Sequence, residues 1–536
     1  MRAFLSFLHG FPLTKRGCLA KMMVQETDVL RKGLQMKRNA LVWLLIASMM
    51  LPALSACSES AENSGAETTS NGSANTPAEV VETEEEEPEM GLDTAKLLYA
   101  DRNYDGYNYR IADRASGDWM TFDVSAEELT GEVINDAVYN RNLVLEDTMG
   151  IKIVEAPMDS VTNTVKTSIT AAADDYDIFT DGLNSLAPLV TQNLIMDFNN
   201  VPTIHPENAW WDQALYKDLS VGGGSYMMTG DISVMDNYGT WCYLFNKQLI
   251  TDYSMENPYD LVDSGKWTLD KHNEMARTAT QDTDGDGKWT MADTYGYVTE
   301  TYNNFAMWSC FGYRICEKDE NDLPYFTYDG DNQVTALMRV IECQYADFTN
   351  MGSKSSVTGG GSFQDNTREN QFAIGRALFY YAGMRNVTLF READTDFGII
   401  PAPKENEEQA QYYSSYSVYN LTAYSLPVTI QDAAKVGDIT EAMAHLSVYT
   451  LTPAYYDQTL IGKSTRDVES EPMIALIMNT RNFDLGVCFD WGSSFSSMTG
   501  MTVPDTVASN FAKGKKVANK SLEKFLDKLA EAQGRG

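Results

Sequence analysis

Apolar positions along the body of the chain recur with two periods. Tyr107 to Ala112 alternates aromatic or aliphatic residues with polar ones and predicts a strand. Glu132 to Met149 carries a helical period and meets Gly150, a natural C-terminal stop. Ile151 to Glu155 predicts a second strand, Val161 to Ala173 a helix, and Tyr176 to Thr180 a third strand. Strands alternating with helices imply an α/β domain with a largely parallel sheet. Further strands are expected at Ser225–Met228 and Trp241–Phe245. Further helices are expected at 269–280, 331–346, 431–447 and 469–480, with an amphipathic terminal helix at 521–531. Gly222–Gly224 and Gly359–Gly361 interrupt the pattern, and no short internal repeat is present.

Upstream of this body the pattern changes. Met36-Lys37-Arg38-Asn39 is basic, and Ala40 to Ala56 is uncharged and largely apolar. The run closes on Leu54-Ser55-Ala56-Cys57. A basic start, an apolar middle and a small-residue end are the parts of a secretory signal. Leu-Ser-Ala-Cys resembles the bacterial lipobox, in which cleavage before the cysteine frees it for lipidation, so Cys57 is the expected lipid site. A plain membrane anchor is the alternative, but the run is short for a bilayer. Residues 1–35 lack signal-like order, which makes Met36 the expected initiator. From Ser58 to Met90 the chain holds ten Glu, no Lys or Arg and no aromatic residue. Such a segment cannot bury enough apolar surface to offset its ordering entropy, and predicts a disordered acidic tether.

Charge narrows the function classes. The 536 residues include 76 Asp+Glu against 41 Lys+Arg, a formal charge of −35. A surface this acidic repels nucleic-acid phosphates and anionic headgroups, which argues against a nucleic-acid partner and against electrostatic membrane binding. The expected leader, residues 1–56, holds eight Lys/Arg and two Asp/Glu, so its removal takes the charge to −41. Five cysteines follow Cys57, an odd number. Cys310 and Cys316 are close enough in sequence for a local disulfide, but buried free thiols are the expectation.

The sharpest local motif runs from Asp282 to Asp293. Asp282, Asp284 and Asp286 stand at positions one, three and five of a calcium-loop template, Gly287 at six and Asp293 at twelve. Lys288 offers its backbone carbonyl, and Thr290 sits where a ligand acts through water. Alternate side chains of such a loop converge on one ion, so a structural Ca2+ is expected; a solvated Asp/Gly turn without metal is the alternative. Catalytic templates are missing: there is no HExxH, GxSxG or GxGxxG. Gly462-Lys463-Ser464-Thr465 imitates a P-loop end, but Asp457 stands where glycine is required. The aromatic clusters are more informative. They comprise Trp210-Trp211-Asp212, Trp308, Tyr380-Tyr381, a Ser/Tyr-rich loop containing Tyr416, and Asp490-Trp491-Gly492. A sugar presents apolar C–H faces to flat rings and hydroxyl edges to Asp, Asn and Arg, while core packing is the alternative for any single ring.

Together these features resemble the extracellular solute-binding lipoproteins of bacterial ABC transporters, in the family 1, carbohydrate-type group. The resemblance rests on the lipobox, on Asn135–Asn142 and Tyr176-Asp177-Ile178, and on Trp210-Trp211-Asp212. Thr229–Ser233, Phe245-Asn246-Lys247, Gly265–Thr268 before the acidic loop, and Phe397–Lys404 also carry it. It implies a two-lobed, periplasmic-binding-protein-like α/β fold of type II with hinge-crossing strands. Lobe one would comprise 91–236 plus 377–428, and lobe two 237–376 plus 429–536, after the leader (1–56) and the tether (57–90). It further implies a monomeric, lipid-anchored protein on the outer face of the membrane. That protein would pass a sugar or oligosaccharide to permease subunits without catalysis. The positions matching family cleft loops are Asp181, Trp241, Trp308, Tyr381 and Trp491. A surface glycoside hydrolase, a binder of another solute such as a peptide, and an adhesin are the alternatives.

Overall fold

The computed structural model describes residues 92, 95–115, 123–351, 368–390, 393, 395–460 and 469–534. All of them lie in the unit Glu87–Gly536. The leader, Cys57, the whole tether, Gly359–Gly361 and the turn at 462–465 fall outside them.

Two sheets organise the body. The first contains β1 (Tyr107–Arg114), β2 (Ile151–Met158), β3 (Ile178–Gly182) and β11 (Thr422–Ser425), in the order β11-β3-β1-β2. β1 runs parallel to β2 and β3, while β11 is antiparallel to β3. The helix Val133–Met149 links β1 to β2. Glu132 caps it by accepting from the Asn135 amide at 2.8 Å, and Gly150 ends it at φ 60°, a left-handed conformation that glycine adopts without strain. The helix Val161–Thr170 links β2 to β3 and buries Val161, Val165 and Ile169.

The second sheet has the order β10-β4-β9-β5-β8. Its strands are β4 (Trp241–Asn246), β5 (Tyr295–Thr299), β8 (Thr349–Met351), β9 (Ala377–Gly383) and β10 (Phe397–Ile400). β9 is antiparallel to β4 and parallel to β5. A short hairpin, β6 (Cys316–Lys318) with β7 (Pro324–Phe326), stands apart from both sheets. All six residues of β4 are buried, as expected of a strand covered on both faces.

The strand pairing and helix packing group the later elements. β9 and β10, expected in lobe one, pair with β4 in the second sheet. β4 requires antiparallel partners on both edges, and these two strands supply them. Conversely, the helix Ala433–Ser447, assigned to lobe two, packs on the first sheet. Val436, Ile439 and Met443 share a core with Tyr109, Ile111 and Ile153, and Tyr109 Oη lies 2.7 Å from Thr440 Oγ1. Ser225–Met228 forms no strand; Met228 makes only an isolated bridge with Tyr424. The terminal helix is longer than the periodicity predicts, Val507–Ala532. Cys242, Cys310, Cys316, Cys343 and Cys488 are buried free thiols. Among the described residues no helix is long and apolar enough to cross a membrane.

Candidate functional site

Two chain segments meet between the sheets. Thr240 and Tyr416 form an antiparallel bridge. The Trp241 amide donates to Ser415 O at 2.9 Å, and the Ser417 amide to Gly239 O at 2.8 Å. One segment leads into β4 of the second sheet, the other into β11 of the first. A Cβ on Gly239 would lie 2.6 Å from the Leu421 amide nitrogen, so glycine is what lets the segments approach.

Beside this crossing lies a cavity of about 330 Å³. Its walls are Trp241 of β4, Glu300 and Tyr302 just after β5, and Arg385 just after β9. Tyr419 and Asn420, in the loop before β11, face them. The Trp241 and Tyr302 rings stack with centroids 5.4 Å apart and planes 15° apart. Tyr302 Oη donates to Tyr416 O at 2.8 Å and accepts from the Val418 amide at 3.1 Å. That hydroxyl therefore ties the second sheet to the crossing segment, and burial pushes its pKa up. Tyr419 is half-exposed, with its ring 6.1 Å from that of Tyr302. Asn386 Nδ2 donates to Tyr380 Oη at 3.0 Å on the floor. The arrangement offers flat apolar faces, a guanidinium, a carboxylate and two amides around one space.

Of the residues singled out by sequence, Trp241 lines this cavity. Tyr381 adjoins it on β9, on the same sheet face as Trp241, but its ring is fully buried beneath that indole at 5.2 Å and does not line the wall. It also packs on Tyr243 at 4.5 Å, with Oη 3.2 Å from Cys310 Sγ. Tyr416 contributes its backbone at the crossing while its ring is buried against Phe483 at 4.6 Å. Trp308 is fully buried, its Nε1 donating to Gln333 O at 2.9 Å. Trp491 stacks on Phe489 at 4.9 Å and packs against Phe525 of the terminal helix. These two indoles are core residues, where their large apolar area is best buried. Asp181, at the end of β3, accepts from Thr162 Oγ1 at 2.7 Å and lies 3.7 Å from Arg114 Nε. Arg114 also donates to Tyr419 O at 2.8 Å, so Asp181 stands behind the cleft wall rather than in it.

Trp210, Trp211 and Asp212 border a separate cavity of about 370 Å³. Both indoles donate to the buried carboxylate of Glu441, at 3.1 and 2.9 Å, and Asn208 adds a third bond at 2.8 Å. Asp212 caps the helix Gln213–Leu219 and pairs with Arg481 at 2.6 Å. Trp210, Trp211 and Asn208 tie this loop to the helix Ala433–Ser447.

The cavity residues missed by sequence are Glu300, Tyr302, Arg385, Asn386 and Tyr419. A signal for most of them existed. Glu300–Tyr302 and Arg385–Asn386 follow the C-terminal ends of β5 and β9, parallel neighbours, and ligands of α/β sheets bind outside those ends.

At the acidic loop, carboxylate oxygens of Asp282, Asp284 and Asp293 lie within 4.8 Å of one another. Gly285 and Gly287 adopt φ of +71° and +75°, and their amides donate to the two oxygens of Asp282 at 2.8 and 2.9 Å. Asp293 is fully buried and accepts from the Thr283 and Thr290 amides at 2.9 and 2.7 Å. No Lys or Arg among the described residues pairs with it. Buried charge is normally paired or metal-bound, so this donor set fits a hard cation. Asp286 lies outside the converging group and accepts from the Lys288 amide at 2.7 Å.

No protein-family model matches the chain, and no curated protein matches it. Solved structures do. UspC of M. tuberculosis aligns with 77% of this chain and 100% of its own, at 14% identity and a TM-score of 0.50. The chain shares the fold of that protein. A cyclo/maltodextrin-binding protein complexed with maltotetraose aligns at 13% identity and 0.49, covering 80% of this chain and 98% of that one. The ABC substrate-binding protein Lmo0181 from Listeria monocytogenes, in complex with cycloalternan, aligns at 12% and 0.48, over 81% and 100%. Within this fold the Trp241–Tyr302 cavity sits beside the crossing of the two segments that connect the sheets.

Proposed function

We propose that this protein is the capture component of an ABC importer, closing its two lobes on a carbohydrate and passing it unchanged to permease subunits. The observation that carries this reading is the stacked Trp241–Tyr302 pair beside the hinge, rimmed by Glu300, Arg385 and Asn420. Ring faces cover the C–H surfaces of a sugar while the rim satisfies its hydroxyls. A ligand touching both walls stabilises the closed state, because it makes all its contacts only there. Glu300 is the single carboxylate among the described lining residues. That favours reversible capture over two-carboxylate hydrolysis.

Around this centre, lipidated Cys57 and the acidic segment to Met90 serve as anchor and spacer on the outer face of the membrane. The loop Asp282–Asp293 holds a structural Ca2+ through Asp282, Asp284 and Asp293. The body acts as a monomer. The test is a thermal-shift screen of the protein against mono- and oligosaccharides and against peptides. A carbohydrate that binds the folded state raises the melting temperature by mass action. Shifts with peptides and none with carbohydrates would overturn the reading.

A further inference from the structure

We propose that the captured carbohydrate carries an anionic group, which docks on the guanidinium of Arg385. This rests on the carbohydrate-capture reading and adds the charge class of the ligand. The position of Arg385 is the first ground. It follows the end of β9 and lines the cavity that contains Trp241 and Tyr302. Its unspent hydrogen-bonding capacity is the second. Nη1 donates to Thr388 Oγ1 at 3.0 Å, but the buried Nε has no acceptor. The guanidinium packs over the Tyr238 ring at 5.2 Å, which fixes its plane without using its donors.

The missing counter-ion is the third ground. Among the described residues no carboxylate pairs with Arg385, although the chain has 76 Asp and Glu. Elsewhere Arg110 pairs with Asp177 at 2.6 Å, Arg314 with Asp218 at 2.6 Å and Arg481 with Asp212 at 2.6 Å. Arg141, also without an ion pair, spends its donors on the carbonyls of Ile232, Asp123 and Val124. Arg481 also lines a cavity with its Nε unpartnered, but Asp212 and Asp236 neutralise it; Arg385 has no such counter-charge among the described residues. Such a fork matches a carboxylate or sulfate with two parallel bonds, and bonds to an ionised partner are about twice as strong as those to a hydroxyl. Glu300 in the same cavity repels an anion, so the charge is read by contact at Arg385 rather than by a general field.

The test is calorimetric titration of the full chain with three sets of oligosaccharides: uronate-containing ones, their carboxyl-reduced neutral counterparts, and sulfated versions of the latter. We expect at least one anionic set to bind about tenfold or more tighter than its neutral counterpart, as a charge-assisted bond requires. Tighter binding confined to the uronates identifies the group as carboxylate, and tighter binding confined to the sulfated set identifies it as sulfate. Arg385→Gln should weaken anionic binding by about tenfold more than it weakens neutral binding, and a circular dichroism spectrum and melting temperature close to those of the parent show that the variant is folded. Equal or tighter binding of the neutral set, or an equal loss for both in Arg385→Gln, overturns this inference and leaves carbohydrate capture standing. Absence of binding by every set overturns both.

Discussion

The indole of Trp241 lies over the phenol of Tyr302 at 5.4 Å with the planes 15° apart, and the Tyr302 hydroxyl bonds to the chain on either side of Ser417. One residue of this pair opens β4 and the other follows β5, so the second sheet sets the ring platform. The hydroxyl connects that platform to the crossing segment that leads back to the first sheet. The ring platform and the chain crossing are therefore coupled through one side chain.

Tyr302→Phe tests that coupling. Removing the hydroxyl leaves the Val418 amide without its acceptor and the Tyr416 carbonyl without its donor. Such a loss costs about 1–3 kcal/mol. Chemical denaturation should show the drop in stability, and small-angle scattering with and without carbohydrate should show altered closure. Unchanged stability would mean that the hydroxyl does not brace the crossing.

Gly239 offers a second probe of the hinge. A methyl at this position would approach the Leu421 amide nitrogen to 2.6 Å. Gly239→Ala should therefore lower stability by about 1–3 kcal/mol through overpacking. A melting temperature equal to that of the parent would contradict the close approach of the two crossing segments.

Chelation addresses the acidic loop. Three converging carboxylates, one of them fully buried, repel one another without a cation. Chelator should lower the melting temperature, and Ca2+ should restore it. Asp293→Asn should reduce the calcium response, and the half-exposed Trp289 inside the loop provides a fluorescence readout. A melting temperature indifferent to chelator would contradict a bound ion.

Stability should also depend on pH through Asp113. Burial, aided by the charges of Asp123 and Glu155, pushes its carboxyl up to about 8 in the folded state. The folded chain then holds a proton that the unfolded chain releases near pH 4. The stabilisation from the protonated group is complete below that point and is lost as pH rises through about 8. Urea denaturation at pH 5 and pH 8 should find the protein weaker at pH 8. Asp113→Asn should flatten the difference, and an identical pH slope in the variant would contradict the assignment.

The α/β class, most element positions and the acidic loop were legible because each depends on local periodicity or spacing. Trp241 was legible as an aromatic residue beside a chain crossing. The partner of β9 was not, because a run such as Ala377–Gly383 satisfies any buried strand position equally well. Tyr381 lies beneath the Trp241 ring while Tyr380 reaches the cavity wall, a distinction set by packing that the sequence of β9 does not show. Trp308 and Trp491 look like ligand aromatics in sequence and are core residues in the fold. Arg385 was legible only as a residue after a strand end: its distinction, the lack of a carboxylate partner among the described residues, is one that only three-dimensional packing reveals.

The central claim is capture of carbohydrate on the Trp241–Tyr302 platform. Calorimetric titration of the parent and of Trp241→Ala with the best carbohydrate from the screen tests it most directly. The account predicts stoichiometric binding by the parent and a loss of about tenfold or more in the variant, titrated well below its melting transition because removal of this buried indole also lowers stability. Equal affinity in both proteins, or no carbohydrate bound by the parent, would contradict it.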